Sequence, residues 1–320
     1  MHQGLKSYRA FLLRALVTVA VLAALLIWLH PVRLFEAMGR TGIGLWAGIV
    51  LAALGSHVVT ASKWRMLLRA TGLATGWLEV LRAHGAGLFA NTWLPSIVGG
   101  DVVRAGMISG EQRGLGAVTA SLIADRFSDG CGLLAVAVLG AAATPAVLLG
   151  PAKTIMWVTG GALALGVIVT ALAVRYLSFQ TVRGKPGKAL RKLHAAAERL
   201  IGHGASIGVA IALAMVVQAF FVTLNILVAR ALGIALPPAA WFALWPLAKL
   251  AAFLPISLGG IGVRETALVA LLVPLGVDPT LVVAQSLVWE GVLFAVGLLA
   301  GAFAFVIRSR VAASPAVTGP

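Results

Sequence analysis

The sequence predicts an all-α fold: a polytopic helical membrane protein with about six full spans plus two re-entrant hairpins in an inverted repeat. Three observations predict it. Hydrophobic residues make up 60% of the 320 residues and charged residues 11%, with a mean hydropathy of +1.01, a composition foreign to soluble domains. Several apolar runs approach the roughly 20 residues that a helix needs to cross a bilayer. Finally, Leu94-Pro95-x-x-x-Gly99-Gly100-x-x-Val103-Arg104 returns 160 residues later as Leu254-Pro255-x-x-x-Gly259-Gly260-x-x-Val263-Arg264. Each copy sets a helix breaker, a glycine pair and an arginine between apolar stretches, as discontinuous membrane helices do in transporters. The 37 glycines and 13 prolines fit the same solvent, because neighbouring membrane helices re-satisfy freed backbone groups.

The apolar segments follow in order. Residues 10–29 come after Lys6 and Arg9 and lack a small-residue cleavage site before His30-Pro31, so they read as a retained first span rather than a signal peptide. Residues 43–61 form the second span. Residues 83–98 are short and run into the first motif, which suggests a leg that enters the membrane and returns. Spans at 115–140 and 154–174 follow. Residues 185–203 read as a basic amphipathic helix lying on the membrane surface. A span at 205–232, a second short leg at 239–258 and a last span at 281–307 complete the set, before a tail rich in Ala, Pro, Ser and Gly that is expected to be disordered.

Loop charge gives direction, since Lys and Arg accumulate on the cytoplasmic side. The basic N-terminus, the segment with Lys63, Arg65, Arg69 and Arg82, and the segment from Arg175 to Arg199 are all assigned to that side. The spans 115–140 and 154–174 already provide the even number of crossings between the last two. The first motif segment must therefore enter and leave from one face, and the second from the other, with both termini cytoplasmic. Residues 1–320 are then one integral membrane domain: a first repeat at 43–140, a linking helix and basic loop at 141–204, an inverted second repeat at 205–307 and a tail at 308–320. The alternative is that the short segments span fully and the repeat is a duplication without mechanism. The net charge of +15 sits beside apolar spans, where it sets orientation and attracts anionic lipid, so nucleic acid is excluded as a partner.

Only ten residues are acidic, and five of them, Asp101, Asp125, Asp129, Glu265 and Glu290, fall in the motifs or in apolar helices. A charge at a helix centre costs about 2.5–3.5 kcal/mol even on the lenient insertion scale, so such groups face a partner or a wet cavity. Asp125 and Asp129 share a helix face at i,i+4, with Arg126 within reach of Asp129. That group lacks one positive charge, which Arg104, Arg264 or a substrate amine would supply. Arg104, Arg126 and Arg264 suit a lipid phosphate through the bidentate guanidinium fork. A purely structural alternative pairs Asp101 with Arg104, and Arg264 with its neighbours, to hold the hairpins together. Gly99, Gly100, Gly259 and Gly260 either turn the chain and free amides for an anion, or permit close helix packing. Asn91 is placed to touch a polar headgroup, while Trp93 suits an interface anchor.

His57 and His84 have no second ligand at metal-binding spacing, the single Cys131 allows no intramolecular disulfide, and no Walker motif is present. No metal and no cofactor are predicted. Any active transport would use a gradient or a partner, with Glu265 or Asp125 as candidate proton carriers.

At Lys63-Trp64-Arg65, Asn91 through Leu94-Pro95, Gly99-Gly100-Asp101-x-x-Arg104, Asp125-Arg126 and Gly259-Gly260-Ile261-Gly262-Val263-Arg264-Glu265, the chain resembles the transmembrane region of the lysylphosphatidylglycerol synthase family, over roughly residues 10–308. The resemblance implies a flippase-like protein of the bacterial inner membrane. In bifunctional relatives this region moves an aminoacylated phospholipid between leaflets and a separate soluble domain makes it; this chain has no room for that domain, so translocation without synthesis is expected. Some standalone relatives are associated with hopanoid or other polyprenyl-derived lipids. Glu290 stands where an arginine is usual in the family, which bears on the headgroup charge preferred. Expected partners are lipids with a charged headgroup, lipid-synthesis enzymes and further copies of the chain. Two competing classes stay open: a secondary transporter of a small solute, and an intramembrane lipid-modifying enzyme using Asp101 or Glu265 as acid or base.

Overall fold

A computed structural model describes residues 36, 38–93, 99–109, 114–147, 150–176, 184–251 and 262–312. Ten longer α-helices and two short 3-10 turns lie among these residues, and no strand. The helices are α1 (Ile43–Ala70), α2 (Trp77–Trp93), α3 (Gly99–Ser109), α4 (Leu115–Ala143), α5 (Pro151–Tyr176), α6 (Gly184–Gly202), α7 (Gly204–Ala231), α8 (Pro238–Ala251), α9 (Val263–Leu272) and α10 (Pro279–Ala312). Among the described residues, four helical stretches are long and apolar enough to cross a membrane: Ile43–Ala70, Ala152–Tyr176, Gly204–Ala231 and Pro279–Ile307. The protein is therefore an all-α, multi-spanning membrane protein. At 29 residues, α4 matches them in length but carries Asp125, Arg126 and Asp129.

The expected first span at 10–29, the Leu-Pro of both motifs, Gly259 and Gly260 lie outside the described residues. The predicted span at 43–61 runs on to Ala70, nine residues beyond the expected end. This corrects one assignment: Lys63 is not a loop charge but a helical residue that is 1% exposed. Burial of its ammonium demands a carboxylate, and one is found below. The last helix continues to Ala312, past the predicted start of the tail.

The chain groups into two compact units whose boundaries fall within long helices. One unit comprises Val50–Arg126, Ala173–Ala210 and the chain from Leu293. Its core joins α1, α2, α3 and α4 through Trp64, Leu68, Val80, Ala83, Ile108 and Val118. There α2 and α3 form a tight hairpin: a Cβ on Gly100 would lie 2.5 Å from the carbonyl oxygen of Gly87, so only glycine permits this approach. Helix α10 approaches α2 as closely, with Gly297 and Gly301 against Thr92 and Phe89, in the small-xxx-small spacing of membrane helix contacts. The basic helix α6 contributes Leu200 to a second cluster with Leu67, Ala70 and Ala210.

The other unit comprises the chain to Ile49, Phe127–Leu172 and Ile211–Val292. Here α8 is buried along most of its length, with Trp241, Leu244, Trp245 and Leu247 each 2% exposed or less, and it forms a hairpin with α9. Helix α4 meets α7 at Gly132, where a Cβ would sit 2.7 Å from the backbone nitrogen of Met215. A neutral clamp, Gln285 Nε2 donating to Asn225 Oδ1 at 2.6 Å, ties α10 to α7. Helix α5 shows large apolar side chains to its surroundings, among them Trp157, Leu165 and Ile168, as a lipid-facing helix does.

Candidate functional site

Two ion-pair networks form, one on each hairpin. In the first, α1 contributes Lys63, α3 contributes Asp101 and Arg104, and α4 contributes Asp125 and Arg126. Asp125 is 1% exposed and lies between two cations, 3.1 Å from Lys63 Nζ and 2.8 Å from Arg104 Nη2. Arg104 reaches on to Asp101 at 3.1 Å. Asp101 in turn accepts two hydrogen bonds from Arg126, at 2.8 Å and 3.0 Å, the bidentate geometry that favours Arg over Lys. The face of Trp64 lies 4.0 Å from the Arg104 guanidinium carbon, a desolvated cation–π contact, while its indole N–H donates to Ser121 Oγ at 3.2 Å.

The hairpin geometry sets this up. Asn91 on α2 accepts from the Gly100 amide at 2.8 Å, satisfying one of the unpaired amides at the start of α3. This fixes the first turn of α3, and Asp101 and Arg104 project from one face at i,i+3. Gly99 is half-buried beside them. The cation that Asp125 needed thus comes from Arg104, with Lys63 as a second. Asp129 stands one turn further along α4, half-buried.

The second network turns on a cation. Arg264 Nη2 lies 2.8 Å from both Glu265 Oε1 and Glu290 Oε1, and donates to Ser286 Oγ at 2.8 Å. The Ser286 hydroxyl donates to Glu265 Oε1 at 2.7 Å. The other Glu265 oxygen accepts the Gly262 amide at 2.6 Å, a carboxylate three residues into α9 satisfying the helix start. Gly262 has φ +86°, a conformation that L side chains resist. Its glycine is what lets the chain enter α9 with Arg264 and Glu265 pointing at α10. Glu290 thereby helps to neutralise the motif arginine.

Each motif arginine binds a carboxylate of the long helix that follows its hairpin, Asp125 on α4 or Glu290 on α10, at the same 2.8 Å. Each keeps a buried Nε without a hydrogen-bond partner among the described residues. Each network also ends on one partly exposed side chain: Arg126 at 39% in the first and Glu290 at 31% in the second.

Three features escaped the sequence reading. Lys63 follows some twenty apolar residues, and that position was the available signal. Ser286 left no signal, because one serine in an apolar helix is unremarkable. His57 and His84, separated by 27 residues, meet with His84 Nε2 and His57 Nδ1 3.2 Å apart; helix packing, not spacing, joins them. Among the described residues, no three His, Cys, Asp or Glu side chains converge.

With this geometry in place, the comparison with known families is decisive. The family model described as "Lysylphosphatidylglycerol synthase TM region" matches residues 14–301. The chain belongs to this family. The matched region is the membrane part of the lysylphosphatidylglycerol synthases, flippase-like and not their catalytic domain. With the apolar spans, membership makes this a multi-pass protein of the bacterial inner membrane. No curated protein and no solved structure is significantly similar to the chain.

Proposed function

We propose that the protein translocates a lipid with a charged headgroup between the leaflets of the inner membrane, with the two networks as headgroup stations. The observation that carries this is the pair of partly exposed termini. Arg126 and Glu290 each present one charge, backed by an opposite charge on a less exposed partner. A headgroup phosphate would compete with Asp101 for Arg126, and a headgroup amine would compete with Arg264 for Glu290. Exchange of one ion pair for another lets a charge enter without being stripped of all its partners, the cost that otherwise forbids it. Acyl or isoprenoid tails would stay in the lipid. Asn91, Gly99 and Gly100 shape the first station, and Asp129 extends the acidic face of α4.

Acid–base chemistry on the lipid has less support. Asp101 and Glu265, its candidate residues, are each held by arginine rather than standing ready to exchange a proton. A small-solute transporter would need the stations walled off from lipid.

The mechanism we infer is alternating access by two re-entrant hairpins in inverted repeats, 43–140 and 205–307, within six spans, both termini being cytoplasmic. In a Cys131→Ala background, single cysteines at Ser109, Lys188 and Asp278 should separate under an impermeant reagent in intact cells, only Asp278 reacting. Reaction at Ser109 as well would make the first hairpin fully spanning and end the inverted-repeat mechanism. The function itself is tested in proteoliposomes with acyl-labelled phosphatidylglycerol: unchanged lipid should cross, and Arg126→Ala should slow it. Conversion of the lipid to a new product would replace the translocator with an enzyme.

A further inference from the structure

The triplet Lys63-Trp64-Arg65 is only partly used by the first network. Consecutive helical residues point about 100° apart, so Lys63 and Trp64 turn toward Asp125 and Arg104 while Arg65 turns away. Arg65 and Arg69, at i,i+4 on α1, share a face. With Ser62, Trp77, His203 and Ser206, they line a cavity of about 430 Å³. It lies where α1 ends and α7 begins.

The lining is built for an anion. Arg65 Nε donates to the carbonyl oxygen of Thr75 at 3.0 Å, which pins the guanidinium and leaves its two Nη groups without a partner among the described residues. Neither Arg65 nor Arg69 pairs with a carboxylate among those residues. This contrasts with Arg104, Arg126 and Arg264, each of which pairs with a carboxylate. His203 Nδ1 lies 2.7 Å from the carbonyl oxygen of Arg199; it must donate there, and Nε2 remains for a ligand. Ser206 sits in the first turn of α7, at the positive end of a 28-residue helix dipole. The Trp77 indole, 40% exposed, donates to Ser62 Oγ at 3.2 Å, an amphipathic ring of the kind found at the headgroup level.

We propose that this pocket is a phosphate-ester site in which Arg65 and Arg69 clamp the phosphate oxygens, with His203 and Ser206 closing the far side. The ester is either the headgroup of a membrane lipid or a soluble phosphate. The pocket shares no residue with either ion-pair network, so the proposal stands whether or not the translocation reading does.

The test uses the full chain purified in detergent, read by native mass spectrometry and thermal melting. The probes are dioleoylphosphatidylglycerol, inorganic phosphate and sn-glycerol 3-phosphate. The expected result is saturable binding that falls at least tenfold in Arg65→Gln/Arg69→Gln. It should persist in Arg175→Gln/Arg230→Gln, which removes the same charge from exposed positions outside the pocket. Variant-sensitive binding of the lipid alone assigns the site to a headgroup; equal sensitivity with the soluble esters assigns it to a free phosphate. Should the double variant fail to fold, Arg69→Gln, exposed at the helix end, is expected to give a partial loss of affinity. The proposal is overturned if wild-type protein binds none of the probes, if the Arg65/Arg69 variants bind them as tightly as wild type, or if the control pair loses as much.

Discussion

The two hairpin networks share an arginine in the same motif position, yet their centres have opposite sign. In the first, a buried anion, Asp125, is held by Lys63 and Arg104; in the second, a buried cation, Arg264, is held by Glu265 and Glu290. The duplicated motif repeats an arginine held by two carboxylates, while the additional cations Lys63 and Arg126 are present only in the first network. The first network spans three helices and has two cations on its central carboxylate. The second is compact, with adjacent residues Arg264 and Glu265 joined to one turn of α10 and braced by a hydroxyl and an amide.

The largest test of that contrast removes the centres. Asp125→Asn leaves Lys63 and Arg104 facing a neutral amide, both nearly fully buried. Breaking a buried pair this way costs about 3–5 kcal/mol, which should appear as a large drop in detergent melting temperature. Arg264→Gln should cost less: Glu290 is 31% exposed and can hydrate, and Glu265 keeps the Gly262 amide and the Ser286 hydroxyl. Equal losses would mean that the sign of the central charge is not what distinguishes the two.

Much of this was legible beforehand. Helix class and most span positions followed from long apolar runs, whose signal is local and strong, and the motif repeat placed both arginines. Asp125 was marked as needing a cation, but which one depended on helix packing. Lys63 was misassigned because charge counting at a span end cannot separate the last buried turn from the first wet one. The neutral partners, Ser286 beneath Arg264 and Asn225 opposite Gln285, have no sequence signature at all: a hydroxyl or amide in an apolar helix gains meaning only from what faces it.

Next in size is the hydroxyl brace of the second network. Ser286 Oγ accepts from Arg264 and donates to Glu265, and hydrogen bonds to charged groups contribute about 1.5–3 kcal/mol. Ser286→Ala should destabilise by that amount, measured by the same melts. Ser286→Thr, which keeps the hydroxyl, should recover most of it. No loss in the alanine variant would show the ion pairs to be sufficient alone and would make the two networks energetically alike.

The exposed ends sharpen the contrast functionally. Arg126→Ala should slow translocation of acyl-labelled phosphatidylglycerol about tenfold, equivalent to about 1.4 kcal/mol, with little change in melting because an exposed ion pair contributes only about 0–1 kcal/mol. Glu290→Gln should instead slow phosphatidylethanolamine more than phosphatidylglycerol, since only the former brings an ammonium. Identical effects of both variants on both lipids would sink the assignment of one sign to each station.

The smallest effect separates the two contacts made by Trp64. Its ring faces Arg104 and its N–H serves Ser121. Trp64→Phe keeps a ring below the guanidinium and deletes only the N–H. Ser121 still donates to the Val118 carbonyl at 2.7 Å, so no buried donor is orphaned, and the cost should be near one neutral hydrogen bond, about 0.5–1.5 kcal/mol. Trp64→Leu removes the ring face as well and should add about 0.5–2 kcal/mol. If the two variants lose equally, the aromatic face contributes nothing to holding Arg104, and its position rests on Asp101 and Asp125 alone. If the leucine variant loses more, the first network is braced by a ring where the second is braced by a hydroxyl. The repeat would then have solved one problem, a buried arginine, by two different physical means.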